Sequence, residues 1–109
     1  MSFKLENHEN AQVVTVTDSI FFDAVQDFDS AVQQAEDTGA KKVIIDLAGA
    51  EILCSSAITT IVKHHMSMQK RGGKLVIAGC NESVVKIMQL LGLNKLMAFA
   101  DDLSAALAL

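Results

Sequence analysis

Two adjacent hydroxyls, Ser55 and Ser56, follow Cys54 where an apolar stretch gives way to a helical pattern. The first backbone N–H groups of a helix have no partner within it, and the helix dipole places partial positive charge there. A serine at such a place can cap the helix with its hydroxyl. It can also carry a phosphate, whose charge the helix end favours. The pair is read as a cap, a phosphorylation switch, or both.

Other chemistry-bearing residues lack the partners their chemistry needs. Cys54 precedes a helix start, a place that favours a thiolate. Nucleophilic catalysis also needs an oriented base, and residues 56–71 hold no Asp or Glu. Cys54 is therefore read as a small buried residue at a strand–helix corner. His64 and His65 are neighbours and point to different parts of a helix, whereas a zinc pair wants a spacing of three or four. They are assigned to core or surface, and no metal is expected. His8 falls in a polar turn. Asp46 ends a buried run without a partner carboxylate and is given turn or capping duty. Gly72, Gly73 and Gly92 are turn and cap glycines, because neither GxGxxG nor GxxxxGK[ST] is present.

The elements that position these residues follow from periodicity. Residues 3–6 alternate as a short edge strand, and residues 11–17 are rich in β-branched types. Asp18 and Ser19 break that run. From Asp23 the period becomes helical, with Val25, Phe28, Val32 and Ala35 inward and Gly39 as the stop. Residues 43–47 form a near-continuous apolar run, the mark of a central parallel strand covered on both faces. Residues 48–53 are a connection with room for a short extended piece. A helix over 56–71 places Ile58, Ile61, Val62, His65 and Met68 inward. Residues 75–78 give another buried strand. Asn81 caps a helix over 82–91, with Val84, Ile87, Met88 and Leu91 inward and Gly92 at its end. Residues 97–99 form a last short strand. Asp101 or Asp102 starts a terminal helix with Leu103, Ala106 and Leu107 inward. The order β-β-α-β-α-β-α-β-α predicts a mostly parallel sheet with right-handed crossovers.

Bulk properties narrow the function classes. The chain has 109 residues, half of them hydrophobic, and a net charge of −4. That length fits one domain over residues 1–109 with a self-standing core. Nucleic-acid binding needs clustered Lys and Arg. The longest basic cluster here is Lys70 and Arg71 with Lys74 nearby, read as a solvated helix end. No stretch reaches the roughly 18 apolar residues of a membrane helix. Charges stand where a signal peptide has its apolar region. A cytoplasmic protein without cofactor, nucleic-acid or membrane partner is expected. Cys54 and Cys80 form no CxxC and are read as reduced, buried thiols. Trp, Tyr and Pro are absent, so no stacking platform is evident.

A run ending in Asp46-Leu47, a short loop and a Ser-Ser helix start lead this pattern. Arg71-Gly72-Gly73-Lys74-Leu75 and Leu90-Leu91-Gly92-Leu93-Asn94-Lys95-Leu96 follow it. The whole resembles STAS domains, and more narrowly the bacterial anti-sigma factor antagonists. The likeness covers nearly the whole chain. It implies a single α/β domain: a small mixed, mostly parallel sheet with about four helices packed mainly on one side, and no enzymatic activity. It further implies a partner anti-sigma factor that doubles as a serine kinase, a phosphatase, and a role in regulating transcription. The family's Asp-Ser-Ser/Thr-Gly signature falls on Cys54-Ser55-Ser56-Ala57, so either serine is a candidate acceptor. Cys54 replaces the acidic residue, Ala57 the glycine, and Asp18 stands where the family often has glycine. The expected partner surface comprises Cys54, Ala57, Thr59, Thr60 and Lys63 with the loop bearing Asp18, Phe21 and Phe22. Neighbouring extended side chains point oppositely, so one phenylalanine is expected in the core and the other is available as an anchor. The alternative is a STAS scaffold or small-ligand-sensing module that is not phosphorylated.

Overall fold

The computed structural model describes residues 3–109. Its five-stranded sheet runs in the order β1 (Phe3–His8), β2 (Ala11–Val16), β3 (Lys42–Asp46), β4 (Lys74–Ala78), β5 (Ala98–Ala100). β1 and β2 form an antiparallel hairpin, and every later pair is parallel. The helices are α1 (Val25–Asp37), α2 (Ser55–Lys70), α3 (Glu82–Leu90), α4 (Leu93–Leu96) and α5 (Leu103–Ala108), with a 3-10 turn at Phe22–Ala24.

β3 is central, as its unbroken apolar run requires. Val43 and Ile45 face one core and Ile44 the other, all fully buried. The larger core lies under α1, α2 and α3, where Phe28, Val32, Ile61, Met68, Val84 and Met88 meet Val14, Leu75 and Ile77. Burying one such side chain stabilises by roughly 1.5–3 kcal/mol. The smaller core lies on the opposite face, where Ala106 of α5 meets Val13, Ile44 and Val76. Lys42 fastens α5 there: its Nζ donates to the carbonyls of Ala106 and Leu107, each at 3.0 Å. A cation bonding the last carbonyls of a helix also complements its dipole.

Several expectations shift. β1 reaches His8, so that residue ends a strand. β5 begins one residue later than expected. Gly92, at φ +75°, ends α3 as expected; Leu93 turns into the core and also opens α4, one turn too short to show a period. Ile87 and Leu91 are not inward; they are 42% and 60% exposed. α3 buries only Val84 and Met88, because it lies at the sheet's end, where a single stripe finds cover.

The contact between α1 and α2 is polar at its centre. His64 is buried, with Nδ1 against Glu36 Oε2 and Nε2 2.6 Å from Asp29 Oδ1. Ser67 Oγ donates to Glu36 Oε1 at 2.7 Å, and Lys63 Nζ to Asp29 Oδ1 at 2.7 Å. Arg71 donates to the Glu36 carbonyl at 2.8 Å, so this end of α2 is docked onto α1 as well as solvated.

Candidate functional site

The serine pair lies beyond the carboxyl ends of the parallel strands, where open α/β sheets place their sites. Three connections meet there. Asp46 makes the expected turn, its Oδ1 accepting from Ala48 N at 3.1 Å. Leu47 N continues toward β4 by donating to Ala78 O at 2.8 Å. The connection then runs beside the one that leaves β2. Ile20 N donates to Ile52 O, Cys54 N donates to Ile20 O, both at 2.9 Å, and Ile20 and Leu53 form a parallel bridge. That bridge is the short extended piece expected within 48–53. Ser19 Oγ accepts from Ile52 N at 3.0 Å, and Asn81 Nδ2 donates to Glu51 O at 3.0 Å. Gly49 allows the close approach: a Cβ there would stand 2.7 Å from Val16 O.

α2 begins at Ser55, one residue earlier than expected, and neither serine caps it. Cys54 occupies the cap position in extended conformation, no side chain supplies a capping hydrogen bond, and the first turn has no acidic residue. The positive end of α2 thus has no side-chain acceptor of its own. Ser55 is exposed and Ser56 half-buried, with its Oγ 3.4 Å from Cys54 Sγ. Two threonines turn back on the helix, Thr59 onto Ser55 O at 3.2 Å and Thr60 onto Ser56 O at 2.9 Å. Such back-bonds satisfy the hydroxyl within its own helix.

The other expected surface residues divide. Asp18, Phe21, Phe22, Thr59 and Lys63 are exposed and Cys54 is half-buried. Ala57 is fully buried and Thr60 only 9% exposed, because α2 turns that side toward its neighbours. Neither presents a side chain to a partner. Both phenylalanines are outside, Phe21 at 54% and Phe22 at 82% exposure, rather than one in the core. The chain enters the 3-10 turn at Phe22, which ends the extended alternation, and Ile20 fills the core position. Two further exposed apolar residues had no signal in the sequence pattern. Ile52 stands at 51% beside the corner, and Met66, at 54%, continues the exposed line of Ser55, Thr59 and Lys63 along α2. Both cysteines are free and half-buried. Burial pushes the Cys80 thiol up to about 11.

Among the described residues, no helix is long and apolar enough to cross a membrane. No curated protein sequence matches the chain. Solved structures do. An anti-sigma factor antagonist from Mycobacterium paratuberculosis superposes with a TM-score of 0.89 at 21% identity, covering 97% of this chain and 90% of that one. The Bacillus protein SpoIIAA, solved in unphosphorylated and phosphorylated forms, gives TM-scores of 0.73 and 0.74 at 16% and 19% identity. Those matches cover 92% and 94% of this chain and 87% and 95% of the other. A sulfate transporter family protein from Wolinella succinogenes gives 0.79 at 16% identity, covering 93% and 84%. These likenesses establish the shared fold. The family assignment comes from the sequence itself, which matches the STAS domain over residues 2–106, and the chain belongs to that family.

Proposed function

We propose that this STAS domain is an anti-sigma factor antagonist, a non-enzymatic cytoplasmic regulator of transcription. It binds an anti-sigma factor that is also a serine kinase. Phosphorylation of Ser55 or Ser56 ends the binding, and a phosphatase restores it. One observation carries the reading: two serines occupy the first turn of a helix whose positive end nothing caps, ringed by exposed Phe21, Phe22 and Ile52. The apolar ring supplies anchors for a protein partner, and the helix end tolerates an added phosphate. Ser55 is the more accessible acceptor.

A phosphoserine brings about −1.5 to −2 charges. At the start of α2 it is locally favourable, so the fold persists. In an interface, a dianion without a counter-cation costs several kcal/mol. A loss of two to three kcal/mol already weakens binding by roughly thirty- to over a hundredfold.

Calorimetry of Ser55→Asp and Ser56→Asp against the cognate anti-sigma factor tests the switch, with unchanged affinity in both variants sinking it. Phosphopeptide mass spectrometry after incubation with the kinase identifies the acceptor. The second reading, a scaffold that is never phosphorylated, draws on Cys54: a thiol beside Ser56 stands where an acidic residue would assist a kinase or its magnesium ion. A bound kinase that leaves both serines unmodified decides for the scaffold.

A further inference from the structure

The exposed apolar side chains gather mainly in two patches of opposite charge. The first is Phe21, Phe22 and Ile52 beside the serine corner. The second is Ile87, Leu90 and Leu91, at i, i+3 and i+4 on α3, with Leu96 of α4. These four are 42%, 87%, 60% and 49% exposed. Contiguous apolar surface of this kind, rimmed by polar residues, marks an interaction site. Around the first patch stand Asp23 next to Phe22, Asp27 one turn later and Glu51 next to Ile52, all exposed. Residues 5–40 hold no Lys or Arg. Around the second stand Lys86, one turn before Leu90, and Lys95, next to Leu96. Residues 83–100 hold no Asp or Glu.

The two patches do not meet within one molecule. Asn81 at the start of α3 bonds to Glu51 beside the first patch, whereas the second lies toward the other end of α3, from Ile87 about 9 Å on to Leu90 about 13 Å on at 1.5 Å per residue. We propose that the chain self-associates head to tail. The Ile87, Leu90, Leu91 and Leu96 face of one copy seats on the Phe21, Phe22 and Ile52 patch of the next, with Lys86 and Lys95 against Asp23, Asp27 and Glu51. Apolar contact supplies affinity and the charges set orientation. Because the joined surfaces are unlike, each added copy leaves one of each kind free, and the assembly is an open chain or a ring rather than a two-fold dimer. The contact covers the serine corner, so a second copy competes there with any other partner.

Analytical ultracentrifugation of the purified chain alone tests this independently of any anti-sigma factor. The expected result is a mass that grows from micromolar to millimolar concentration and less so at high salt. Leu90→Glu places an acid against the acidic patch, and Phe22→Lys a base against the basic one. Each weakens self-association at least about tenfold. Mixing the two variants joins the intact patch of each into a complex of one copy each that grows no further. The surface pair Lys86→Glu/Lys95→Glu and Asp23→Lys/Glu51→Lys tests the charges without touching an apolar residue: each is inert alone, and mixing restores both kinds of contact, so the mixture grows as an alternating assembly. A wild-type chain that stays monomeric throughout overturns the proposal. So does undiminished self-association of Phe22→Lys, which would mean that the α3 face pairs with itself.

Discussion

The His64 imidazole stands between two carboxylates of α1, with Nε2 2.6 Å from Asp29 Oδ1 and Nδ1 against Glu36 Oε2. Both ring nitrogens are thus partnered by carboxylate oxygens, although the ring is buried. The clamp ties the helix that carries the serine pair to the helix that follows Phe22. Removing one partner leaves the other's buried polar group without its hydrogen-bond partner. His64→Ala is expected to lose about 3–5 kcal/mol in equilibrium urea unfolding. Removing both polar side chains with His64→Leu and Glu36→Leu together should recover much of that loss. A single variant as stable as wild type would show that the clamp is not formed in solution.

Asp29 gives the clamp a pH limit. Burial alone would raise its carboxyl, but the hydrogen bonds and charges of Lys63 and His64 outweigh this and hold it below the usual 3.8. A carboxyl depressed by folding adds stability above its unfolded value, and that stability disappears as pH falls through the folded value. Unfolding followed below about pH 4 should show a steeper loss in wild type than in Asp29→Asn. Parallel curves would refute the assignment.

Cys80 should be a slow thiol. Its value of about 11 keeps it protonated at neutral pH, and the thiolate is the reactive form. Alkylation by iodoacetamide, followed by peptide mass spectrometry, should be slow at pH 7 and climb as pH approaches 11. Labelling of Cys80 at neutral pH as fast as an unstructured peptide thiol contradicts this.

Asn81 acts at both of its side-chain atoms. Oδ1 accepts from Val84 N at 2.8 Å to cap α3, while Nδ2 holds Glu51 O in the loop before the serines. Asn81→Ala should cost about 1–2 kcal/mol. Asn81→Asp keeps the cap and loses the donor. It should therefore stay closer to wild type in thermal unfolding while loosening the loop, seen as faster amide hydrogen exchange at Ile52 and Cys54.

Gly49 tests the convergence of the loops. Its missing Cβ makes room for Val16 O and the backbone of Thr17. Gly49→Ala meets backbone rather than a flexible side chain, so relief requires moving the connection. A destabilisation of about 1–3 kcal/mol is expected. A neutral effect by chemical denaturation would mean that the corner is looser than the structure describes.

The sequence by itself determined the longer elements and the place of the serine pair. Alternation located β1, β-branched and unbroken apolar runs located β2, β3 and β4, and the 3.6-residue period located α1 and α2, because hydrophobic patterning records which faces of each element are covered. The unbroken run at residues 43–47 identified the central strand, since only a strand buried on both faces dispenses with alternation. Asn81 and Asp46 were legible, and Asp102 as one of two neighbouring candidates, because capping and turn hydrogen bonds are local. Tertiary structure alone decided the rest. Phe21 and Phe22 lie outside because Ile20 pairs with the loop before α2, a contact more than thirty residues away in the chain. Ile87 and Leu91 are open because α3 lies where the sheet ends. His64 meets its carboxylates only through the docking of two helices about thirty residues apart, and no periodicity along one strand of sequence records a charge supplied by another element.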